Sequence, residues 1–148
     1  MSTITYKSDI VAWANEQAQL LRNKQFNLLD IEHLAEEIAD VGKSEQRELA
    51  NRMAVLLCHL INWQYQAVSL GTSWHTPIKT QRERIKRRLK QTPSLKNCLN
   101  DEDWLADAWD DARDLAEKET LISYEKFPAS CPWTMDDVLS NDWLPNNL

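Results

Sequence analysis

The sequence predicts an all-α protein, a single bundle of about five helices with an irregular C-terminal wrap and no β-sheet. Three observations carry this. Apolar residues in every long segment recur at steps of three and four rather than alternating. Most segments open on a Ser, Thr, Asp or Asn placed to cap a first turn. Only two glycines, Gly42 and Gly71, are present, which leaves little material for tight hairpins or phosphate-cradling loops.

Ser8 and Asp9 open the first helix, whose Ile10, Trp13, Ala14, Leu20 and Leu21 share one face, and the pattern ends near Asn23. Asp30 caps a second, with Ile31, Leu34, Ala35, Ile38 and Val41 on its expected buried stripe and a stop or bend at Gly42. Ser44 is placed to cap a third, so that residues 30–69 read as two helices or one bent helix. Leu49, Met53, Leu56, Leu60, Trp63 and Ala67 form its stripe, widened by Ala50, Ala54, Leu57 and Ile61, and a face that broad belongs at a bundle centre.

The pattern breaks around Gly71, and Thr76 with Pro77 starts a narrow helix whose apolar residues are Ile78, Ile85 and Leu89. Thr92 and Pro93 open a short turn. Asn100 is the expected cap of the next helix, with three acids in its first turn and Trp104, Leu105, Ala108, Ala112, Leu115 and Ala116 facing inward. The proline-containing tail carries a Thr134/Asp137 pair that can cap one turn, Met135 to Leu139, before wrapping across the bundle.

At 148 residues, with 43% hydrophobic and 27% charged residues, one domain spanning 1–148 is long enough to close a core without staples. No stretch has the length of a signal peptide's apolar core or of a membrane span, so a cytoplasmic protein without a membrane partner is expected. Cys58, Cys98 and Cys131 are odd in number and widely spaced, which suggests neither a disulfide framework nor a zinc site.

Several stretches together resemble one family: "LDIEHLAEEIADVGKSEQREL", "LLCHLINWQYQ", "SWHTPIKTQRERIKRRL", "TPSL" and "FPASCPWTMDDVLSNDWLP". In order and over nearly the whole chain they are similar to the domain-of-unknown-function family numbered twenty-nine. The resemblance implies an all-helical bundle and a bacterial origin, often cyanobacterial, and it carries no catalytic residues with it.

Residues 79–90, "KTQRERIKRRLK", hold seven Lys or Arg and one Glu in a chain of net charge −6. Between 101 and 119 stand nine acids against Arg113 and Lys118. Helices joined by a short turn usually lie antiparallel and adjacent, so the basic segment is expected to face the acidic one. Binding of nucleic acid through 79–90 needs a free basic face, preferably with aromatic rings for stacking, and no aromatic lies between 77 and 92. It therefore ranks last.

Glu48, Arg52, His59 and Gln66 run along one flank of the third helix, and Arg82 sits within a turn of both Ile78 and Ile85. A buried arginine needs a partner, and Glu37 or Glu48 is expected to supply a carboxylate. Glu37, Glu48, Arg52, His59 and Arg82 thus form a candidate polar pocket for an anionic ligand, weighed against a purely structural network. No Glu lies three residues before His33, His59 or His75, so the di-iron pattern is missing and no metal or cofactor is expected. Cys58 adjoins His59 in sequence, but neighbours on a helix point ~100° apart and form no ready nucleophile and base. Of the seven tryptophans, Trp74 and Trp143 are the two expected to stay partly exposed as contact anchors. With an exposed charged surface and no catalytic set, a protein-interaction module with another protein as partner is the first expectation, ahead of a ligand-binding or enzymatic bundle.

Overall fold

A computed structural model describes residues 5–70 and 75–146, the side chains of 67–70 excepted. Among the described residues there are five α-helices and no strand: α1 (Ile10–Arg22), α2 (Ile31–Leu70), α3 (His75–Gln91), α4 (Glu102–Thr120) and α5 (Met135–Leu139). Short 3-10 segments at Phe26–Leu28, Pro93–Asn100 and Tyr124–Lys126 join them. The chain divides into two compact units, 1–44 and 45–148.

The expected bend at Gly42 is absent, because α2 runs through Gly42 and Ser44 without interruption. A Cβ built on Gly42 meets nothing within 4 Å, so the glycine serves no close approach. It costs about 1 kcal/mol of helix stability relative to Ala, too little to stop a helix supported on both sides. The helical angles lapse instead at Gln66 (φ −137°, ψ 29°).

Unit 1–44 is a helical hairpin. Asp9 caps α1 by accepting from Ala12 N at 3.1 Å, and Asp30 caps α2 through His33 N at 3.4 Å. Trp13 and Gln17 are buried, whereas Ile10, Ala14 and Leu21, expected inside, are exposed. On α2 the expected buried stripe is likewise open: Ile31, Ala35, Ile38 and Val41 are exposed, and Leu34 is half-buried.

Unit 45–148 holds the core. Leu49, Met53, Leu56, Leu57, Leu60 and Ile61 of α2 are buried against Ile78, Ile85 and Leu89 of α3, and Ala108, Trp109, Ala112 and Ala116 of α4. Each full-sized aliphatic among them contributes about 1.5–3 kcal/mol on burial. Asp101, not Asn100, caps α4, accepting from Asp103 N and Trp104 N. The expected cap of α5 forms, with Thr134 Oγ1 accepting from Asp137 N at 3.1 Å.

Between α3 and α4 the Pro93–Asn100 segment inserts buried Leu95 and Cys98 and packs on both helices. The connection is a packed element of its own rather than a tight turn. Beyond α4 the irregular tail lies on the core through Phe127, Trp133, Val138 and Trp143.

Irregular backbone cannot satisfy its own carbonyls, so the tail depends on donors from the helices. Trp63 Nε1 donates to Pro145 O at 3.1 Å, Trp109 Nε1 to Pro128 O at 2.8 Å, and Arg113 to Ala129 O at 3.1 Å. Arg82, 3% exposed, supplies three: Nε to Val138 O at 2.8 Å, Nη1 to Asn141 O at 3.4 Å and Nη2 to Trp143 O at 2.6 Å. Replacing Arg82 with Leu is expected to cost about 3–5 kcal/mol in urea unfolding and to speed proteolysis between 139 and 146. Arg82→Lys should recover little, since one ammonium cannot span three divergent carbonyls. Unchanged unfolding midpoints in both variants would show that the tail is held by packing alone.

Candidate functional site

Of the residues of the predicted polar pocket that lie in unit 45–148, Glu48 and Arg52 meet each other, while His59 and Arg82 have other surroundings. Glu37 belongs to the hairpin, where it accepts a short hydrogen bond from Tyr6 Oη. That bond, aided by burial and by the negative charge of Glu37 itself, pushes the Tyr6 phenol up to about 12. Glu48 and Arg52 pair along α2 at 3.5 Å. His59 is half-buried, and among the described residues no side chain from another helix hydrogen-bonds it. Arg82 reaches carbonyls and not the carboxylate of Glu37 or Glu48; three tail oxygens converge on it, and Asp142 is the acid nearest in effect.

A cavity of about 460 Å³ does adjoin Arg82, lined also by His75, Ile78, Lys79, Glu83 and Asp142, but neither Arg52 nor His59 reaches it. With the guanidinium of Arg82 already committed to the backbone, the cavity lacks Arg52 and His59, the two residues that the pocket reading adds to Arg82.

His59 lies instead near a small polar cluster between α2 and α4. Asn62 Nδ2 donates to Glu119 Oε2, and the Cys58 thiol reaches the same oxygen at 3.5 Å. Burial, then the charge of Glu119, pushes the Cys58 thiol up to about 12, which makes it a poor nucleophile. Burial also lowers the His59 pKa, with Glu119 opposing. The unfolded chain therefore binds the His59 proton more readily than the folded one. Stability from this group is full above the unfolded value, ~6.5, and falls as pH drops below it. A melting-temperature series from ~pH 7.5 to ~5 is expected to show a smaller acid loss in His59→Gln than in the wild type. Parallel curves would assign the loss to other groups.

The basic helix departs from its expected placement. Among the described residues no Lys or Arg of 79–90 pairs with an acid of α4, and the Pro93–Asn100 segment packs on both helices. Arg88 pairs with Glu45 and reaches Glu48 at 3.9 Å on α2, and Lys86 donates to Asn141 Oδ1 at 2.8 Å. Lys79, Arg84, Arg87 and Lys90 are exposed. On α4 the uncovered acids crowd one another: burial, then Asp114, Asp107 and Asp110, raises the pKa of Asp111.

Of the two expected aromatic anchors, Trp74 lies outside the described residues. Trp143 is half-buried on the core, 5.7 Å from the Trp133 ring, which in turn meets Trp109 edge-on at 5.4 Å. It keeps the partial exposure expected of it while packing on the core.

The exposed apolar surface lies elsewhere, in the hairpin. Its inner contacts are polar and aromatic. Trp13 Nε1 donates to Asp30 Oδ2 at 3.0 Å, and the His33 ring meets the same oxygen at 2.7 Å. Asp30 N donates to Gln17 Oε1 at 2.8 Å. Tyr6 stacks on His33 with centroids 4.3 Å apart and meets Trp13 edge-on. The His33 hydrogen bond first, then that of Trp13, holds Asp30 below the usual carboxylate range against a desolvation cost. Outward stand Ile10, Val11, Leu21, Phe26, Leu28, Ile31, Ile38 and Val41, from 45% to 71% exposed. Sequence spacing identified most of these positions but assigned them to a core.

Among the described residues no helix is long and apolar enough to cross a membrane, and no group of three or more His, Cys, Asp or Glu is placed to hold a metal. A family model described as "Domain of unknown function DUF29" matches residues 5–144. No curated protein and no solved structure matches the chain.

Proposed function

We propose that this chain, which belongs to the DUF29 family, is a cytoplasmic protein-interaction module that offers the open apolar face of its N-terminal hairpin to a protein partner. One observation carries the reading. Eight large apolar side chains between residues 10 and 41 are exposed, against Leu121 alone in the rest of the described chain. Monomers rarely leave contiguous apolar patches beyond ~300–600 Å² to water, and patches of that kind mark contact sites. The charged surface of unit 45–148 and the packing of Trp109, Trp133 and Trp143 on its core leave the hairpin as the richer contact face.

The test compares tagged wild type with Ile31→Glu/Ile38→Glu as baits in lysate of the host. Both side chains are more than 60% exposed, so helix content by circular dichroism should not change. The wild type is expected to recover a partner protein, untagged copies of the chain included, and the variant to lose it. Equal recovery, or none by the wild type, overturns the reading.

A second reading is favoured by the basic side chains of α3 that α4 leaves uncovered: Lys79, Arg84, Arg87 and Lys90 form a free cationic face for a nucleic acid. The net charge of −6 and the lack of an aromatic between 77 and 92 weigh against it. On this reading RNA or duplex DNA binds with micromolar affinity near ~150 mM salt, and Arg84→Ala/Arg87→Ala abolishes binding. A titration showing no binding at that salt removes it.

A further inference from the structure

We infer that the open face of the N-terminal hairpin is a self-association surface, on which the hairpin of a second copy closes a four-helix bundle about a two-fold axis parallel to the helices. The inference rests on the reading above, that this face serves a partner, and names the partner as the chain itself.

Geometry is the first support. Tyr6 touches His33 and Glu37, while Trp13 and Gln17 touch Asp30, so α1 and the start of α2 run antiparallel. On α1 the contacts to α2 come from Trp13 and Gln17, and the open apolar positions are Ile10, Val11, Ala14 and Leu21. On α2 the contacts come from Asp30, His33 and Glu37, and the open apolar positions along that paired stretch are Ile31, Ala35 and Ile38, with exposed Val41 beyond it. At ~100° per residue, each open stripe lies roughly a quarter to a third of a turn from its contact face, in the same rotational sense in both helices. For antiparallel neighbours that sense turns both stripes to one side of the hairpin. Two apolar stripes side by side on a helix pair are half of an antiparallel four-helix bundle.

Area is the second. The five large side chains on this face, Ile10, Val11, Leu21, Ile31 and Ile38, exposed by about half to two-thirds, offer on the order of 500–600 Å² of apolar surface, the larger part of the ~800 Å² per partner of a standard interface.

Charge selects the occupant. α1 and its flanks carry Lys7, Arg22 and Lys24 against Asp9 and Glu16, whereas residues 30–43 carry five acids against Lys43. A two-fold axis parallel to the helices sets α1 of one copy against α2 of the other, running antiparallel. The basic end of α1, Arg22 and Lys24, then meets the acidic start of α2, Glu32 and Glu36, in the second copy, and the same contact repeats on the other side. All four side chains are exposed in the single chain. The alternative axis, perpendicular to the helices, stacks α2 on α2 and brings acid against acid.

Sedimentation of the purified full chain between ~1 and ~100 μM is expected to show a dimer, and Ile31→Glu/Ile38→Glu a monomer of unchanged helix content. Two charge variants fix the arrangement: Arg22→Glu/Lys24→Glu and Glu32→Lys/Glu36→Lys. Each alone should self-associate at least about tenfold more weakly than wild type, and their equimolar mixture should recover the wild-type affinity. A monomeric wild type at ~100 μM overturns the inference; if lysate capture still yields a different protein that depends on Ile31 and Ile38, the broader reading stands. A wild-type dimer whose charge variants associate undiminished, or whose mixture shows no recovery, overturns the paired arrangement of α1 against α2.

Discussion

The guanidinium of Arg82 meets three carbonyls of the C-terminal tail, and the form of unit 45–148 depends on that contact. The tail after α4 has only one turn of 3-10 helix and five residues of α-helix with which to satisfy its own backbone. Left unpaired on a core, each buried carbonyl costs on the order of 1–3 kcal/mol. Arg82, Trp63, Trp109 and Arg113 supply the missing donors, and each projects from a helix that also contributes to the hydrophobic cluster. Arg113 adds a cation–π contact, its guanidinium carbon 3.6 Å from the Tyr124 ring centroid. Packing and hydrogen bonding are thus coupled through the same helices: a shift of α3 that would close the core around Ile85 differently would also strip the tail of three bonds.

This use of arginine changes what the basic helix is. Of its charges, Arg82 is committed to the backbone, Arg88 to Glu45 and Glu48, and Lys86 to Asn141, which leaves an exposed remainder at 79, 84, 87 and 90. The acidic face of α4 keeps its charges in turn. Opposite charges in neighbouring stretches of sequence do not neutralise one another at close range when their side chains do not meet, and at exposed positions salt screens what remains beyond ~8 Å. The surface of unit 45–148 therefore carries separate basic and acidic regions.

The hairpin of unit 1–44 reverses the usual arrangement. Its helices meet through Asp30, Gln17, His33 and aromatic rings, and most of its large aliphatic residues are exposed. Polar contacts of this kind fix register, since Asp30 accepts from Trp13 and from His33 while its amide donates to Gln17. They supply little of the apolar burial that stabilises most helix pairs. Such a pair gains most from a surface that covers its outer face, which is why the functional reading is centred there.

Local rules in the sequence determined a large part of this protein. Caps at Asp9, Asp30 and Thr134, the stripe of Ile78, Ile85 and Leu89, the wide face from Leu49 to Ile61 and the all-helical class follow from spacing and side-chain chemistry within a few residues. Family membership was legible for the same reason, as ordered stretches of sequence. Coverage was not. Ile31 and Ile38 have the same periodicity as Leu49 and Leu56, yet the first two are open and the last two fully buried. A helical period specifies that a face is apolar and says nothing of whether another element lies on it. Arg82 was recognisable as buried from its neighbours at 78 and 85, but its partner was not, because backbone carbonyls of a distant tail carry no mark in the sequence. Helix spans and caps arise from contacts between near neighbours along the chain; the coverage of a face and the partner of a charge arise from contacts between segments far apart in sequence, and only the tertiary structure decided those.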